Sequence, residues 1–379
     1  MARLGDICRF QSGGTPSKGE PSYFGGDIPW ITTVALNRSV IGEESAVDWI
    51  TEKAIRESAA KIVPANSIMV GTRVGVGKVA INSTPMSTSQ DIISLLDIDE
   101  SKWSKAFVCK FILAKGTYLN SQARGATIKG IKIETLADLQ LPDVSLEEQC
   151  KIAHTIDRVS ELIALRKEQL AALDQLVKSR FIELFGDQET NPFGWTQCTI
   201  GECCTLKSGT SLSAEVENEG GPIPYVKVGD MNYPGNERYI TTSSRYVSEA
   251  TAGKGIFEVG SILFPKRGGA IGTNKKRMTK LPICADLNVM GVSSNSQLLP
   301  EYLLAYFDMI DLGALSDGSS VPQINNKNIA PLVICVPPME LQKQFAAFVE
   351  ETDKSKLASQ RSLDELETLK KALMQKYFG

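Results

Sequence analysis

Short apolar runs and long amphipathic stretches alternate along this chain of 379 residues. In residues 1–144, and again in residues 188–338, β-branched runs such as 92–96 and 332–336 stand between segments rich in Gly and Pro. Short apolar runs that are bounded by turn-forming residues are typical of β-strands. The pattern therefore predicts two globular regions of mixed α/β structure, each with many strands.

The segment after each globular region has a different pattern. Residues 145–185 and 339–378 contain neither Gly nor Pro and are dense in Leu, Glu, Lys, Gln and Ala, which are strong helix formers. In the first segment, apolar residues follow the four-three spacing of a coiled-coil heptad, interrupted by Arg166 and Arg180. Each segment is predicted to form one long helix. The apolar positions of the first are Ile152, Ile156, Val159, Ile163, Leu170, Leu173, Val177 and Leu184.

Ordered blocks in the first half of the chain recur in the second half. Their offsets drift only between 193 and 196 residues, which indicates a tandem duplication. The matched blocks are Leu4-Gly5-Asp6 with Ile200-Gly201-Glu202, Ser12-Gly13 with Ser208-Gly209, Ile28-Pro29-Trp30-Ile31 with Ile223-Pro224-Tyr225-Val226, 66–73 with 260–267, Asp91 with Asp286, 125–128 with 318–321, and Leu146-Glu147-Glu148-Gln149 with Leu341-Gln342-Lys343-Gln344.

The order of the repeated parts predicts an architecture. Residues 1–144 and 188–338 are the two globular domains, residues 145–187 form a central spacer helix, and residues 339–379 form a C-terminal spacer helix. The first helix delivers the chain into the second domain, where the second helix begins, so the two helices should run antiparallel. About 40 residues at a rise of about 1.5 Å give a helix of about 60 Å. We expect two α/β domains separated by an antiparallel coiled coil, with pseudo-twofold symmetry.

Composition and single residues exclude several classes of protein. The chain is 42% hydrophobic and 22% charged, with a net charge of -3, and it has neither an apolar run of membrane-spanning length nor an apolar signal core. A cytoplasmic location without membrane contact is expected. The eight cysteines include no C-x-x-C pair, which favours reduced, buried thiols over disulfides or a zinc site. The single histidine, His154, lies in the heptad pattern, so sites that need a catalytic or zinc-binding imidazole are not expected.

Two motifs that resemble enzyme sites fail on inspection. The Gly-rich residues 71–79 carry Arg73 and Lys78. A phosphate-binding loop needs four residues between its first Gly and its Gly-Lys pair, with Ser or Thr after the Lys; here Gly71 is one residue too far away and Val79 follows Lys78. Residues 191–194, Asn-Pro-Phe-Gly, resemble the catalytic tetrapeptide of adenine methyltransferases but lack a Gly-rich cofactor strand upstream. We interpret both as turns, and we predict no catalytic residue, metal or cofactor in this chain.

The whole chain resembles the specificity (S) subunit of a type I restriction-modification enzyme. The resemblance rests on the repeated blocks, the 71–73 turn, Leu141-Pro142 before the first helix, and the helix end Phe185-Gly186-Asp187. It implies two target recognition domains, each of which reads half of a bipartite, asymmetric site in double-stranded DNA. It also implies that the helices dock two methyltransferase (M) subunits, which carry out adenine methylation, and that translocase-nuclease (R) subunits join the restricting complex.

The charge distribution limits how DNA can be bound. Residues 1–144 carry a net charge of +1 and residues 188–338 a net charge of -2, whereas duplex affinity depends on neutralised phosphates. We therefore expect weak binding by the chain alone and added basic surface from its partners. The candidate DNA-binding residues are basic or polar, and many lie in loop-like stretches. They are Ser12, Thr15, Lys18, Thr32, Arg73, Lys78, Arg124, Lys129, Lys207, Ser208, Lys227, Lys266, Arg267, Lys275, Lys276 and Arg277.

Position within the repeat separates some of these candidates. Arg73 and Arg267 occupy matched positions in the shared framework, so we predict that both contact DNA and favour phosphate anchoring over base readout. Lys132 completes the basic cluster that Arg124 and Lys129 begin. The framework aromatics Trp30 and Tyr225 are predicted to be core residues rather than base-stacking groups.

Two other interpretations stay open. A non-catalytic coiled-coil scaffold that links two protein-binding heads fits the nearly neutral charge, and sequence-selective DNA binding by the assembled complex would separate it from a specificity subunit. An enzyme with an unrecognised site is disfavoured by the failed motifs.

Overall fold

The chain forms two compact units in the computed structural model, which describes residues 1–125 and 129–379. Unit 1 comprises Met1–Lys167 and Arg361–Gly379, and unit 2 comprises Glu168–Gln360. Residues 126–128, part of the predicted repeat block 125–128, lie outside the described residues. The predicted domain boundaries differ from these units because each unit includes part of both long helices, and those boundaries stay a prediction.

The strands of unit 1 are β1 (Ala2–Arg3), β2 (Arg9–Ser12), β3 (Phe24–Ile31), β4 (Val40–Ile41), β5 (Asp48–Ile50), β6 (Ile62–Val63), β7 (Ile68–Gly71), β8 (Val79–Asn82), β9 (Met86–Thr88), β10 (Ile92–Leu96) and β11 (Gln140–Leu141). The unit contains a five-stranded sheet in the order β2-β10-β7-β8-β4 and a four-stranded sheet in the order β5-β3-β9-β6. Its helices are α1 (Leu4–Ile7), α2 (Glu52–Glu57), α3 (Lys105–Ala114), α4 (Gly116–Gln122), α5 (Ile133–Ala137) and the first part of α6 (Leu146–Phe185).

The strands of unit 2 are β12 (Thr196–Thr199), β13 (Cys204–Ser208), β14 (Ile223–Val226), β15 (Tyr239–Ile240), β16 (Tyr246–Val247), β17 (Ile262–Pro265), β18 (Arg277–Thr279), β19 (Cys284–Ala285), β20 (Val289–Ser294) and β21 (Val333–Val336). The unit contains a five-stranded sheet in the order β13-β20-β17-β18-β15 and a three-stranded sheet in the order β16-β14-β19. Its helices are the end of α6, α7 (Ile200–Cys203), α8 (Glu249–Ala252), α9 (Pro300–Asp308), α10 (Asn326–Ile329) and the start of α11 (Met339–Phe378).

The two five-stranded sheets have the same strand order and the same pairing directions. In both, the middle strand is antiparallel to its two neighbours, and the short edge strand is parallel to the next strand. The mixed α/β class and the tandem repeat are thereby confirmed. The two long helices are also confirmed, at Leu146–Phe185 and Met339–Phe378.

One pairing of the sequence repeat is wrong by two residues. The sequence matches Asp91 with Asp286, but Ser89 holds the equivalent place. The N–H of Ser89 donates to the carbonyl of Ile31 at 2.8 Å, and the N–H of Asp286 donates to the carbonyl of Val226 at 2.9 Å. A serine and an aspartate can exchange here because both accept a hydrogen bond from the backbone two residues later.

The pairing at the start of the long helices is wrong in the same way. Gln149 corresponds to Gln342 rather than to Gln344, because both buried side chains make equivalent hydrogen bonds. The Gln149 Oε1 accepts from the N–H of Ser104 at 2.9 Å, and the Gln342 Oε1 accepts from the N–H of Leu299 at 2.8 Å. Each glutamine therefore joins the first turn of its helix to the segment that precedes α3 or α9.

The long helices lie antiparallel within each unit. In unit 1, the Lys167 ammonium pairs with Glu367 at 2.9 Å, and Phe378 lies in the same core as Ile152. In unit 2, the rings of Phe181 and Phe345 are 5.6 Å apart at their centroids. The predicted heptad residues of α6 are all buried or half-buried. The helix ends where Gly186 takes a φ of +73°, the left-handed conformation that commonly terminates helices.

Candidate nucleic-acid interface

Each unit presents an arginine on the turn that follows the middle strand of its five-stranded sheet. Arg73 lies two residues beyond the end of β7, and Arg267 lies two residues beyond the end of β17. The same backbone contacts fix both turns. The carbonyl of Thr72 accepts from the N–H of Ile131 at 2.8 Å, and the carbonyl of Lys266 accepts from the N–H of Ile324 at 2.9 Å. The matched positions predicted from the repeat are therefore equivalent in the fold.

In unit 1 the turn opens onto a concavity of about 570 Å³. Arg73, Arg124 and Lys132 line it, together with the polar side chains of Gln122 and Thr135. The structure thus brings together two of the predicted residues, Arg73 and Arg124. Sequence reasoning did not select Gln122 or Thr135, because an isolated polar residue in a short helix carries no recognisable signal.

The Arg73 guanidinium lies 3.6 Å from a carboxylate oxygen of Asp91. This carboxylate restrains the arginine where it remains half exposed. Gly130 leaves room for the side chain, since a Cβ atom at that position would lie 2.8 Å from the Cγ atom of Arg73. Exposed and weakly paired guanidinium groups of this kind suit contact with phosphate oxygens.

In unit 2 the turn is joined to the strand that carries Ser208. The Lys266 ammonium donates to the Ser208 hydroxyl at 2.9 Å, so these two predicted residues lie together. Arg267 is exposed, and Asn288 stands where Asp91 stands in unit 1.

The loops that follow Ser12 and Ser208 are held by the framework aromatics. The Trp30 Nε1 donates to the carbonyl of Gly14 at 3.0 Å, and the Tyr225 hydroxyl donates to the carbonyl of Thr210 at 2.8 Å. Both aromatic side chains are buried, so their prediction as core residues is confirmed. Their polar ends fix the backbone of the two candidate loops.

The other unit 1 candidates lie at or near the surface. Thr15, Lys18 and Lys129 are exposed, and Thr32 is half-buried. Lys78 is also exposed, and its aliphatic stem runs beside Gly75.

Several unit 2 candidates are held by protein groups. Lys207 donates to the carbonyl of Ile256 at 2.7 Å, Lys227 pairs with Glu217 at 2.6 Å, and Lys275 bonds to Asn232. These contacts place their cationic groups against the protein and reduce the charge that they offer to a ligand.

Lys276 and Arg277 lie deeper in the unit. The Lys276 ammonium is buried and donates to the carbonyl of Ile310 at 2.6 Å and to Asn274 at 2.8 Å. Burial lowers the pKa of Lys276 to about 8, against the opposing effect of Asp308. Burial also lowers the pKa of Arg277. Both side chains are integrated into the packing around β18.

Two further findings concern metal binding and membrane insertion. Within residues 1–125 and 129–379, no cluster of His, Cys, Asp and Glu side chains has the arrangement of a metal site, and the eight cysteines are free thiols. Among these same residues, no helix has the length and apolar character needed to cross a bilayer.

The sequence profile of the family described as "type I restriction modification DNA specificity domain" matches residues 1–175 and 192–368. The chain belongs to this family. It is the specificity subunit of a type I restriction-modification system, and the identification made from the sequence motifs is confirmed.

Relatives of the family align with nearly the whole chain. The type I restriction enzyme MjaIX specificity subunit of Methanocaldococcus jannaschii is 25% identical, over 99% of this chain and 91% of that protein. The EcoprrI specificity subunit of Escherichia coli is 24% identical, over 92% of this chain and 86% of that protein.

Two solved structures share the fold. The S subunit of a type I restriction-modification system from M. genitalium covers 100% of this chain and 95% of its own, with a TM-score of 0.59 and 16% identity. A chain from a structure that describes complex assembly and conformational transition of the type I system covers 100% of this chain and 96% of its own, with a TM-score of 0.63 and 18% identity.

Proposed function

We propose that this specificity subunit reads a bipartite, asymmetric target in double-stranded DNA, one half with each unit, and docks two methyltransferase subunits on α6 and α11. In this proposal residues 1–144 and 188–338 are the target recognition domains, and residues 145–187 and 339–379 are the helical segments. Translocase-nuclease subunits join when the complex restricts DNA. The chain supplies specificity, and its partners supply catalysis.

The observation that carries the DNA part of the proposal is a shared frame with different side chains. The two five-stranded sheets have one strand order, and buried aromatics fix the loops after Ser12 and Ser208 in the same way. The side chains around this frame differ, as where Thr32 of unit 1 is replaced by Lys227 in unit 2. Different half-sites require this combination, because base edges are read by side chains held in a fixed register.

Exposed apolar residues on the long helices support the docking part. One face of α6 packs into its units, while several leucines and an isoleucine on the two helices remain 40–58% exposed. Large apolar side chains that recur along a helix surface are typical of a protein-binding face. They are Leu162, Leu165, Leu176, Ile182, Leu357 and Leu369.

An exchange of domains tests the assignment of half-sites. Residues 1–144 are replaced by the matching region of a relative with another specificity, and methylated adenines are mapped by long-read sequencing in cells that carry the complete system. We expect one half of the methylated site to change and the other half to stay the same. Changes in both halves would refute the two-reader arrangement, and an absence of sequence-selective methylation in the parent system would favour the scaffold interpretation.

Native mass spectrometry tests the docking stoichiometry. With methyltransferase in excess, we expect two copies for each specificity subunit. Saturation at one copy would contradict two equivalent docking sites. Leu165→Asp and Leu357→Asp each place a charge on an exposed helix position of the proposed docking face and should weaken docking without altering the fold.

A further inference from the structure

A second backbone hydrogen bond beside the turn that carries Arg73 or Arg267 is also repeated in both units. In unit 1 the N–H of Arg124 donates to the carbonyl of Gly130 at 2.9 Å, and in unit 2 the N–H of Asp317 donates to the carbonyl of Gln323 at 3.2 Å. The residue that directly follows the acceptor, Ile131 in unit 1 and Ile324 in unit 2, donates its N–H to the turn that carries the arginine. Arg124 and Asp317 are therefore structural equivalents with opposite charge.

The neighbouring positions differ in the same direction. Lys132 directly precedes α5, and its equivalent Asn325 directly precedes α10. Of the described residues that line the concavity in unit 1, Arg73, Arg124 and Lys132 are cationic and none is acidic, although the Asp91 carboxylate lies 3.6 Å from the Arg73 guanidinium. The corresponding positions of unit 2 hold one arginine, one aspartate and one asparagine.

Asp317 is firmly held as an anion. Its carboxylate accepts hydrogen bonds from the Ser319 hydroxyl at 2.8 Å and from the N–H of Gln323 at 3.1 Å. The hydrogen bond from Ser319 is the largest of the contributions that lower the pKa of Asp317. An ionised carboxylate at this place repels a phosphate.

Unit 2 does carry other cations nearby, but they are directed elsewhere. Lys266, at the place of Thr72, bonds to Ser208, and Lys327 interacts with the Asp317 carboxylate. Arg124 and Lys132, in contrast, are exposed and line the concavity.

We propose that the concavity formed by Arg73, Arg124 and Lys132 is a binding site for a backbone phosphate of duplex DNA, and that unit 2 has no such three-cation site at the equivalent turn, where Arg267 alone is left for the phosphate contact predicted from the repeat. The inference rests on the proposed function and makes it more specific. The two recognition domains therefore make unequal phosphate contacts at this turn. The salt-dependent DNA affinity that the three-cation site supplies comes from unit 1.

A salt series on the assembled methyltransferase complex tests the site. Binding to cognate and single-mismatch duplexes is measured by fluorescence anisotropy at several salt concentrations. Each phosphate contact contributes about 0.9 to the slope of log K against log salt. We expect Arg124→Ala and Lys132→Ala each to reduce the steepness by up to about one and to weaken cognate and mismatched duplexes by the same factor.

The repeat supplies matched control variants. Asp317→Ala and Asn325→Ala alter the equivalent positions of unit 2 and should leave the slope no less steep than in the parent. Asp317→Arg recreates the unit 1 charge and should steepen it. An intact complex whose slope is unchanged by Arg124→Ala and Lys132→Ala would overturn the proposal, as would a loss of affinity confined to one base pair.

A chemically modified duplex locates the contact. Single phosphates are replaced in turn by neutral methylphosphonates, and each duplex is bound to the parent complex and to the Arg124→Ala complex. We expect one position, in the half-site read by unit 1, at which the two losses are not additive. Additive losses at every position would overturn the site while leaving the proposed function intact. Failure of the parent complex to bind its methylated sequence selectively would refute both.

Discussion

The buried glutamine at the start of α11 offers a sharp test of how the helices are attached. Gln342 is fully buried, and its Oε1 accepts from the N–H of Leu299 at 2.8 Å. Its Nε2 donates to the carbonyls of Gln297 and Pro337, both at 2.9 Å. Three backbone groups from two segments thus depend on one side chain.

Gln342→Leu keeps the approximate size of the side chain but leaves all three backbone groups without this partner. Each unsatisfied buried donor or acceptor costs about 1–3 kcal/mol. The buried apolar surface of the leucine side chain offsets part of the combined cost of the three groups. We expect a local loss of about 2–4 kcal/mol. At about 1.4 kcal/mol for each factor of ten, this makes opening about 30- to 700-fold more frequent.

Native-state hydrogen exchange with mass spectrometry measures this opening in the full chain. The peptide that covers residues 297–305 should lose protection by that factor in Gln342→Leu. Gln344→Leu is the matched control, because this exposed side chain is the partner that the sequence alone assigns to Gln149, and its effect should stay within about 0.5 kcal/mol. Equal losses in the two variants, or a larger loss in Gln344→Leu, would refute the structural pairing. Gln149→Leu should produce the corresponding loss in unit 1.

Three further outcomes follow from unit 2. Since the pKa of Lys276 is lowered to about 8 from 10.5, the unfolded chain binds more protons between these values, and stability should rise with pH across that range; in urea unfolding, Lys276→Met should lack this rise. Gly209→Ala places a Cβ atom against a backbone carbonyl oxygen, whereas Gly229 has open space around it, so the first variant should lower the thermal midpoint and Gly229→Ala should change it little. Arg238→Met removes one partner of the Asp353 carboxylate, 3.5 Å away, and leaves it the hydrogen bond from the Tyr239 hydroxyl. In urea unfolding this variant should lose about 3 kcal/mol of stability, the lower end for a broken buried ion pair, and the double variant with Asp353→Leu should lose less than the single one.

The fold was largely predictable because its signals are local. The absence of Gly and Pro from residues 145–185 and 339–378 marked two helices of the observed length. Turn-bounded apolar runs marked the strands. The exact equivalence of the repeats was less accessible, since a glutamine or an acidic residue two positions away matches equally well by letter, and only the hydrogen bonds distinguish Gln342 from Gln344.

The candidate site could be predicted only in part. Arg73 was found because it repeats, but its proximity to Arg124 and Lys132 depends on segments about 50 residues apart that β7 and α5 bring together. Lys276 was selected from a run of cations, and no local pattern shows that the carbonyl of Ile310 receives its ammonium inside the unit. The sequence shows which residues are charged, but whether a charged side chain is buried depends on hydrogen-bond acceptors that lie far away in the sequence.

The division of the units has a consequence for synthesis on the ribosome. Unit 2 is a continuous stretch of chain, whereas unit 1 needs residues 361–379, including Phe378 in its core. At about 5–20 residues per second, the intervening 190 or so residues take about 10–40 s to emerge. Throughout that interval the first part of unit 1 exposes the apolar surface that Phe378 later covers. The half that is translated first is therefore the last to be completed, and nascent chains should depend on chaperones for their N-terminal half more than for the half that follows.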